Sequence, residues 1–137
     1  MSLIVTEVDM LGALADLLAA WAGKRRIGLF QNDWTPTPSS GISEVQPCDF
    51  SGYAGLQTLT GWTTPTLYGE TAITSADQVV WTYNGGPAKN WVFGYYVVDN
   101  TGALRWAERN PNGSVALVVA GNTFPVVPAF SFGSKFR

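Results

Sequence analysis

The chain has 137 residues, of which 46% are hydrophobic and only 13% are charged, with a net charge of −2. This length suits one domain with a sizeable core, and the hydrophobic content argues against disorder. Without a basic surface the chain is a poor candidate for sequence-independent nucleic-acid binding, which needs cations to neutralise phosphates. The low charge favours a protein packed against neighbours, although a monomer with an uncharged polar surface is the alternative.

The chain contains no histidine and a single cysteine, Cys48. Nucleophilic triads that depend on histidine are therefore impossible, and one cysteine cannot form an intramolecular disulfide. The usual zinc, copper and haem ligand sets are also missing. We expect no metal, no cofactor and no enzymatic activity, and we expect Cys48 to be a small half-buried filler rather than a nucleophile.

The sequence has no segment typical of a membrane protein. No apolar run reaches the roughly 18 to 20 residues that cross a bilayer. Acidic residues, Glu7 and Asp9, stand near the N-terminus where a secretory signal would carry bases. We therefore expect no membrane partner and synthesis in a cytoplasm.

Residues 6–22 carry the pattern of an amphipathic helix. Thr6 is placed to cap the first turn, and Gly23 is placed to end the helix in the left-handed conformation. The apolar stripe recurs at three- and four-residue steps and consists of Val8, Leu11, Leu14, Leu18 and Trp21. The polar face has little charge, so we expect packing within a domain or particle rather than on a membrane. Whether the helix packs on its own subunit or on a neighbour stays open.

Short strands separated by turns are predicted after the helix. Residues 27–31 are the first strand, and the prolines of residues 32–41 indicate an irregular loop. Trp34 in this loop is either a plug over the core or an exposed anchor for a partner. Residues 46–53 are typical of a turn or a 3₁₀ segment.

Further extended segments are predicted at residues 56–59, 61–68, 72–75, 78–83, 115–120 and 124–132. Pro65, Pro125 and Pro128 confine their segments to sheet edges or to positions outside strands, because proline cannot donate to a strand ladder. Residues 84–90 form a second loop.

Residues 91–108 (WVFGYYVVDNTGALRWAE) predict a β-hairpin. Large apolar side chains lie on both faces of its first strand, which therefore should be central and covered on both sides. The turn Asp99–Gly102 places a glycine where a positive φ is needed.

One helix followed by about eight short strands indicates a mainly β fold, an antiparallel β-sandwich or jelly-roll with one N-terminal α-helix. We expect a helix and connector at residues 1–26 and the β-sandwich at residues 27–137, as a single domain overall.

The sequence offers weak support for two chemical alternatives. A glycosidase needs two carboxylates across a cleft, and Asp33, Glu44, Asp49 and Glu70 carry no motif that brings two together. In a saccharide site, the ring of Trp106 would stack against a sugar, and Arg105 and Glu108 would form hydrogen bonds to its hydroxyl groups. A simpler explanation is a strand whose aromatic side chains lie in the core and whose charged side chains lie at the surface.

Aromatic and proline residues beside loops and strand ends suit a protein interface, because they bury much area with few rotatable bonds. The candidate interface residues are Trp21, Trp34, Pro36, Pro38, Trp62, Pro125 and Pro128.

The order of segments also resembles a known family. IGLFQNDWTPT is followed by DFSGY, a tryptophan after Leu-Thr-Gly, GYYVVDNTGALRWAER and proline-rich C-terminal strands. This order resembles small proteins encoded among the structural genes of tailed bacteriophages. The resemblance runs from Ile27 to Phe132 and is most specific at Gly94–Arg109.

The resemblance implies a non-enzymatic virion structural protein located in the virion after assembly in the host cytoplasm. It implies a capsid decoration (cement) protein or a tail-associated subunit, with the major capsid protein or other virion proteins as partners. A homo-oligomer, for which a trimer is possible, is typical of this role. The alternative is a tail fibre or receptor-binding module that recognises a host surface glycan through Trp34 or Trp62. No family residue has a role that transfers to this chain.

Overall fold

The computed structural model describes residues 3–4, 6–69, 71–86, 91–133 and 135–136. In this part of the chain the helix α1 spans Glu7–Trp21, and one turn of 3₁₀ helix spans Ile42–Glu44. The strands, in chain order, are β1 (Leu3–Ile4), β2 (Arg26–Phe30), β3 (Gln57–Thr58), β4 (Thr66–Tyr68), β5 (Thr71–Ser75), β6 (Val79–Thr82), β7 (Trp91–Val92), β8 (Gly94–Val98), β9 (Leu104–Arg109), β10 (Val115–Ala116), β11 (Thr123–Val126), β12 (Ala129–Gly133) and β13 (Lys135–Phe136).

The strands of the described residues pair antiparallel in small sheets. The largest sheet has the order β3-β2-β8-β9, and a second sheet has the order β12-β5-β4. The remaining strands pair as β6 with β11, β7 with β10 and β1 with β13. The predicted fold class, mainly β and antiparallel with one helix near the N-terminus, is confirmed.

The chain divides into two compact units, each built from separated segments. Unit 1 consists of Met1–Lys24, Leu59–Gln78 and Val127–Arg137, and unit 2 consists of Arg25–Thr58 and Val79–Val126. The predicted division into residues 1–26 and 27–137 followed chain order, whereas these units interleave along the chain. The single-domain organisation stays a prediction.

In unit 1, α1 forms as its end signals predict. The Thr6 hydroxyl accepts a hydrogen bond from the Asp9 N–H at 3.3 Å, and Gly23 has a φ of 69°. The core of this unit is apolar and contains Met10, Leu14 and Ala72, with Leu11, Leu18, Leu67 and Phe130 packed around them. One member of the predicted apolar stripe is wrong: Val8 is 79% exposed, because it lies in the first turn of the helix outside this core.

In unit 2, β2 and β8 are the central strands of the four-stranded sheet. Every residue of β8 is buried, which confirms the central strand predicted from apolar side chains on both faces. The hairpin of β8 and β9 is confirmed as well, with Gly102 at a φ of 87°. Its first strand is shorter than predicted, because Phe93 separates β8 from β7.

Two predicted elements differ from the structure. The strand predicted at residues 115–120 is wrong beyond Ala116, since the Asn122 side chain accepts the N–H groups of Val118 and Val119 and holds a turn. Of the two alternatives for residues 46–53 the structure has the turn, closed by Tyr53 N–H to Phe50 O at 2.9 Å, while the 3₁₀ helix lies at Ile42–Glu44. Of residues 61–68 only Thr66–Tyr68 form a strand. Residues 87–90 of the predicted second loop lie outside the described residues.

Candidate functional site

The candidate interface residues differ widely in exposure. Trp21, Trp34 and Pro128 are buried within the chain, Pro36 and Trp62 are half-buried, and Pro38 and Pro125 are exposed. Trp34 is only 8% exposed and packs on Phe30, with ring centroids 5.0 Å apart. Of the two alternatives for Trp34, the structure therefore shows the plug over the core. A surface role for Trp34 would require it to leave this position.

The lone thiol is held in an unreactive setting. Cys48 is 5% exposed, and its sulfur lies 3.9 Å from the carbonyl oxygen of Trp91. Burial, with a smaller contribution from the charge of Asp49, raises the pKa of Cys48 to about 12. At neutral pH the group is a protonated thiol, whereas a nucleophile must be a thiolate.

Three of the four acids considered for a carboxylate pair have a defined partner. Asp33 forms an ion pair with Arg109 at 2.6 Å. Glu44 accepts the N–H of Gly41 at 2.7 Å, and Asp49 accepts the amide of Gln31 at 3.2 Å. The fourth acid, Glu70, lies outside the described residues.

A first groove, which we call the helix groove, lies in unit 1 and has a volume of about 540 Å³. It is lined by residues 59–65 and by Ala15, Leu18, Ala19, Ala22 and Gly23. The segment 59–65 is fixed to β5 by hydrogen bonds, including Thr63 N–H to Ser75 O at 2.8 Å. Trp62 stands in this groove with its ring centroid 6.1 Å from that of Trp21. The lining carries no charged side chain.

A second groove, which we call the β9 groove, lies in unit 2 and has a volume of about 350 Å³. One wall is strand β9, and the other is the proline loop between β2 and the 3₁₀ turn. The lining residues are Pro36, Thr37, Pro38, Ser40, Leu104, Arg105, Trp106 and Ala107. Two of the predicted interface residues, Pro36 and Pro38, thus meet the strand in which the sequence indicated Arg105 and Trp106.

Arg109 holds the proline loop beside β9. One nitrogen of its guanidinium (Nη1) contacts the Asp33 carboxylate at 2.6 Å and donates to the carbonyl oxygen of Trp34 at 3.1 Å. The same guanidinium lies over the ring of Phe93, 5.3 Å from its centroid. Because one side chain bridges the loop and the strand, the two walls of the β9 groove have a defined separation.

Three charged groups lie close together at the other end of β9: Arg25, Arg105 and Asp99. Together these three groups carry a net charge of +1. Arg105 and Arg25 both act on Asp99, and the Arg105 Nε lies 3.6 Å from an Asp99 oxygen. Hydrogen bonds from the Thr101 hydroxyl at 2.6 Å, and from the N–H groups of Thr101 and Ala103, lower the pKa of Asp99 to about 2. Asp99 is therefore ionised at neutral pH and neutralises one of the two guanidinium groups.

Comparisons with known proteins add no relative. No family model, no curated protein and no solved structure matches the chain. Within the described ranges no group of three or more Cys, Asp or Glu side chains is placed to hold a metal ion. The same part of the chain contains no helix of the length and apolarity needed to cross a membrane.

Sequence reasoning missed half of the β9 groove. Thr37 and Ser40 were counted only as loop residues, and Leu104 and Ala107 only as strand residues. The sequence signal that points to this groove is the pair of prolines in the loop. Pro36 and Pro38 cannot join a strand ladder, so the edge of β9 beside them stays unpaired. The strand that faces this loop begins at Leu104, far along the chain from Ser40, so a local pattern cannot reveal the pairing.

Proposed function

We propose that the protein is a non-enzymatic structural protein of a bacteriophage virion, a capsid decoration (cement) protein. It acts by binding the major capsid protein or another virion protein, and it associates with copies of itself. The observation that carries the proposal is an uncharged exposed face on the β6–β11 pair, which suits a protein–protein contact.

This face, the β6–β11 face, consists of Val80, Thr82, Thr123 and Pro125. The cross-strand pairs are Val80 with Pro125 and Thr82 with Thr123, so all four side chains lie on one side of the ladder. All four residues are exposed, and Val80 is 49% exposed. Trp81, on the opposite side of the ladder, is buried in unit 2. Depletion of charge together with exposed apolar groups is typical of an interface core.

The neighbouring turn extends the apolar surface. Val118 and Val119 are both exposed in the turn that Asn122 closes. This turn adjoins the end of β6, since the Gly121 N–H donates to the Tyr83 carbonyl at 2.7 Å. Exposed valines next to an uncharged strand pair favour assembly over an isolated soluble monomer.

The chemistry of the chain supports the non-enzymatic part of the proposal. The only thiol has a pKa of about 12, and no histidine is present to act as a general base. The acids Asp33, Glu44 and Asp49 serve ion pairs and loop hydrogen bonds.

The test is the position of the protein in purified particles, by mass mapping and by antibody labelling. We expect the protein on the virion in stoichiometric copies. Detection only in the host cell extract would contradict the proposal.

A matched pair of variants tests the face itself. Val80→Glu places a charge on the β6–β11 face, and Val8→Glu makes the same change at an exposed valine of α1. We expect Val80→Glu to lower incorporation into particles at least about tenfold, because a buried unpaired charge is costly at an interface, while Val8→Glu retains it. Equal incorporation of both variants would remove the β6–β11 face from the proposal.

One observation favours a second candidate, a glycan-binding module of a tail. Trp62 is half-buried in the helix groove among Thr60, Thr63 and Thr64, an aromatic ring beside hydroxyl groups. A host-glycan array with the wild-type protein and Trp62→Ala tests this candidate. Binding that Trp62→Ala removes without loss of the fold would support it, and an array with no bound glycan would reject it.

A further inference from the structure

We propose that the β9 groove binds an extended segment of a partner polypeptide, which pairs with the free edge of β9 and places a carboxylate against Arg105. The site is separate from the β6–β11 face. The inference goes beyond the proposed function, because it concerns what this chain binds whether or not it is carried on a virion.

The edge of β9 is open to pairing. Among the described residues β9 has a neighbour on one side, β8. The N–H and C=O groups of Leu29 bond to Tyr53 and Cys48, away from β8, so its pair with Tyr95 is non-hydrogen-bonded. Tyr95 therefore turns its N–H and C=O groups toward Glu108 of β9, which makes Tyr95 and Glu108 a hydrogen-bonded pair. Antiparallel pairs alternate, so the pair of Tyr96 with Ala107 is a non-hydrogen-bonded one. The N–H and C=O groups of Ala107 therefore point away from β8, toward the groove.

The lining shows that the groove runs along this edge. Four consecutive residues, Leu104–Ala107, line it. Successive side chains of a strand point to opposite faces, so consecutive residues share one groove only where the groove follows the strand edge. An extended peptide placed there would lie where the next strand of the sheet would be.

The lining of the proline loop has no free backbone N–H group to offer to this edge. Pro36 and Pro38 have no N–H group to offer to β9. The N–H of Thr37 donates to the Ser40 hydroxyl at 2.9 Å, and the N–H of Ser40 donates to the Thr37 carbonyl at 3.0 Å. The backbone N–H groups of the loop residues that line the groove are thus absent or already bonded within the loop. Arg109 holds this loop beside β9 through the carbonyl oxygen of Trp34. The strand edge is left available to a different chain.

The charge of the site selects the partner. Arg105 is the one charged residue in the groove lining, and its side chain is 48% exposed. The carboxylate nearest to it, Asp99, is shared with Arg25, so this cluster keeps one positive charge. A partner segment with an aspartate or glutamate complements that charge, whereas one with lysine is repelled. Leu104 and Trp106 add apolar contact for neighbouring side chains of the segment.

Fluorescence anisotropy with the full-length protein tests the inference. The probes are a labelled eight-residue peptide of alternating threonine and valine with one central glutamate, and the same peptide with lysine instead. We expect the glutamate peptide to bind at least about tenfold more tightly than the lysine peptide. Arg105→Gln should abolish this preference, while Lys24→Gln, which removes a positive charge outside the groove lining, should preserve it.

A second pair of measurements tests strand pairing. Ala107→Pro removes the outward N–H, and N-methylation of the peptide at alternate residues removes its donors. Ala107→Pro should weaken binding of the glutamate peptide about fivefold, the effect of one lost hydrogen bond, and N-methylation, which removes several donors, should weaken it by at least about that factor. Circular dichroism checks whether Ala107→Pro folds. If it does not fold, the methylated peptide still tests strand pairing on the wild-type protein.

Three results would overturn the inference. They are no binding of the glutamate peptide, equal binding of the two peptides, and binding that is indifferent to N-methylation. A glycan array run in parallel tests whether the β9 groove binds an oligosaccharide instead of a peptide. An oligosaccharide that binds and is lost in Trp106→Ala, with no peptide bound, would assign the groove to saccharide and reject the peptide.

Discussion

The phenolic oxygen of Tyr53 accepts a hydrogen bond from the backbone N–H of Leu29 at 3.0 Å. The strand β3 pairs only with Arg26 and Ile27, so Leu29 lies beyond the end of its partner strand. The Tyr53 side chain supplies the missing acceptor, and the Cys48 N–H donates to the Leu29 carbonyl at 2.9 Å. Loop residues thus complete the hydrogen bonding of a buried central strand, which is necessary because an unpaired buried backbone group is costly.

Gly28 is required by this arrangement. A Cβ atom at Gly28 would lie 2.8 Å from Cζ of Tyr96 and 2.9 Å from the Tyr53 hydroxyl oxygen. We expect Gly28→Ala to lower the free energy of unfolding by about 1–3 kcal/mol through overpacking. The control is Gly12→Ala in α1, where nothing lies within 4 Å and where alanine should stabilise by about 0.5–1 kcal/mol. Urea unfolding of both variants measures the difference, and a neutral Gly28→Ala would contradict the close packing.

Tyr95 is buried and forms a hydrogen bond to a charged side chain. It is a buried residue of β8, and its hydroxyl donates to a carboxylate oxygen of Glu108 at 2.8 Å. We expect Tyr95→Ala to lower the free energy of unfolding by about 3 kcal/mol or more, as for a core aromatic. Tyr95→Phe should cost about 1 kcal/mol, the net contribution of the hydrogen bond. A loss near zero for Tyr95→Ala would place the residue on the surface and reopen the saccharide interpretation of β9.

Trp34 should tolerate loss of its nitrogen better than loss of its ring. Its indole N–H is buried and has no hydrogen-bond partner in the described structure. We expect Trp34→Phe to change stability by less than about 1 kcal/mol, because no hydrogen bond is lost. Trp34→Ala should cost about 3–5 kcal/mol, because it leaves a cavity beside Phe30. Thermal unfolding of the two variants distinguishes these values, and equal losses would indicate that the indole nitrogen has a partner.

Asp99 makes the hairpin turn sensitive to acid. Its pKa is held at about 2, below the ordinary 3.8, first of all by the Thr101 hydroxyl. A carboxyl with a lowered pKa stabilises the fold above the ordinary value and loses that contribution as the pH falls through about 2. We expect Asp99→Asn to be less stable than the wild type at neutral pH, with a difference that shrinks between pH 4 and pH 2. Urea unfolding across this range measures it, and a difference independent of pH would exclude the carboxylate as the cause.

We expect Cys48 not to react with thiol reagents until the protein unfolds. With a pKa of about 12, about one thiol in ten thousand is ionised at pH 8, and burial restricts access as well. We expect one equivalent of DTNB to react in denaturant and almost none in the native protein over minutes. The Cys48→Ala variant provides the blank, and rapid native labelling would show that unit 2 opens around this residue.

Local signals were sufficient where the determining contacts are close in the chain. The helix could be placed because Thr6 bonds to a residue three positions away and Gly23 ends the last turn. The hairpin of β8 and β9 could be placed because Asp99 and Gly102 form the turn between two apolar strands. In both cases the backbone hydrogen bonds join near neighbours, so propensity and periodicity carry the information.

Pattern alone failed where a side chain competes with the strand ladder for backbone N–H groups. Residues 117–120 have strand composition, yet the side chain of Asn122 captures two of the N–H groups that a longer ladder would use. Such side-chain bonds compete with strand pairing and depend on the geometry of one turn. Apolar composition could not reveal that competition.

By itself, the sequence determined the fold class, the exclusion of histidine-based chemistry, the helix and the central hairpin. Only the tertiary structure decided that Trp34 is a plug, that Arg109 reaches the Trp34 carbonyl across 75 positions of sequence, and that the proline loop lies along the edge of β9. The physical reason is that burial and groove formation depend on which distant segments meet. That choice is made by the sum of many small packing contributions, and no local pattern encodes it.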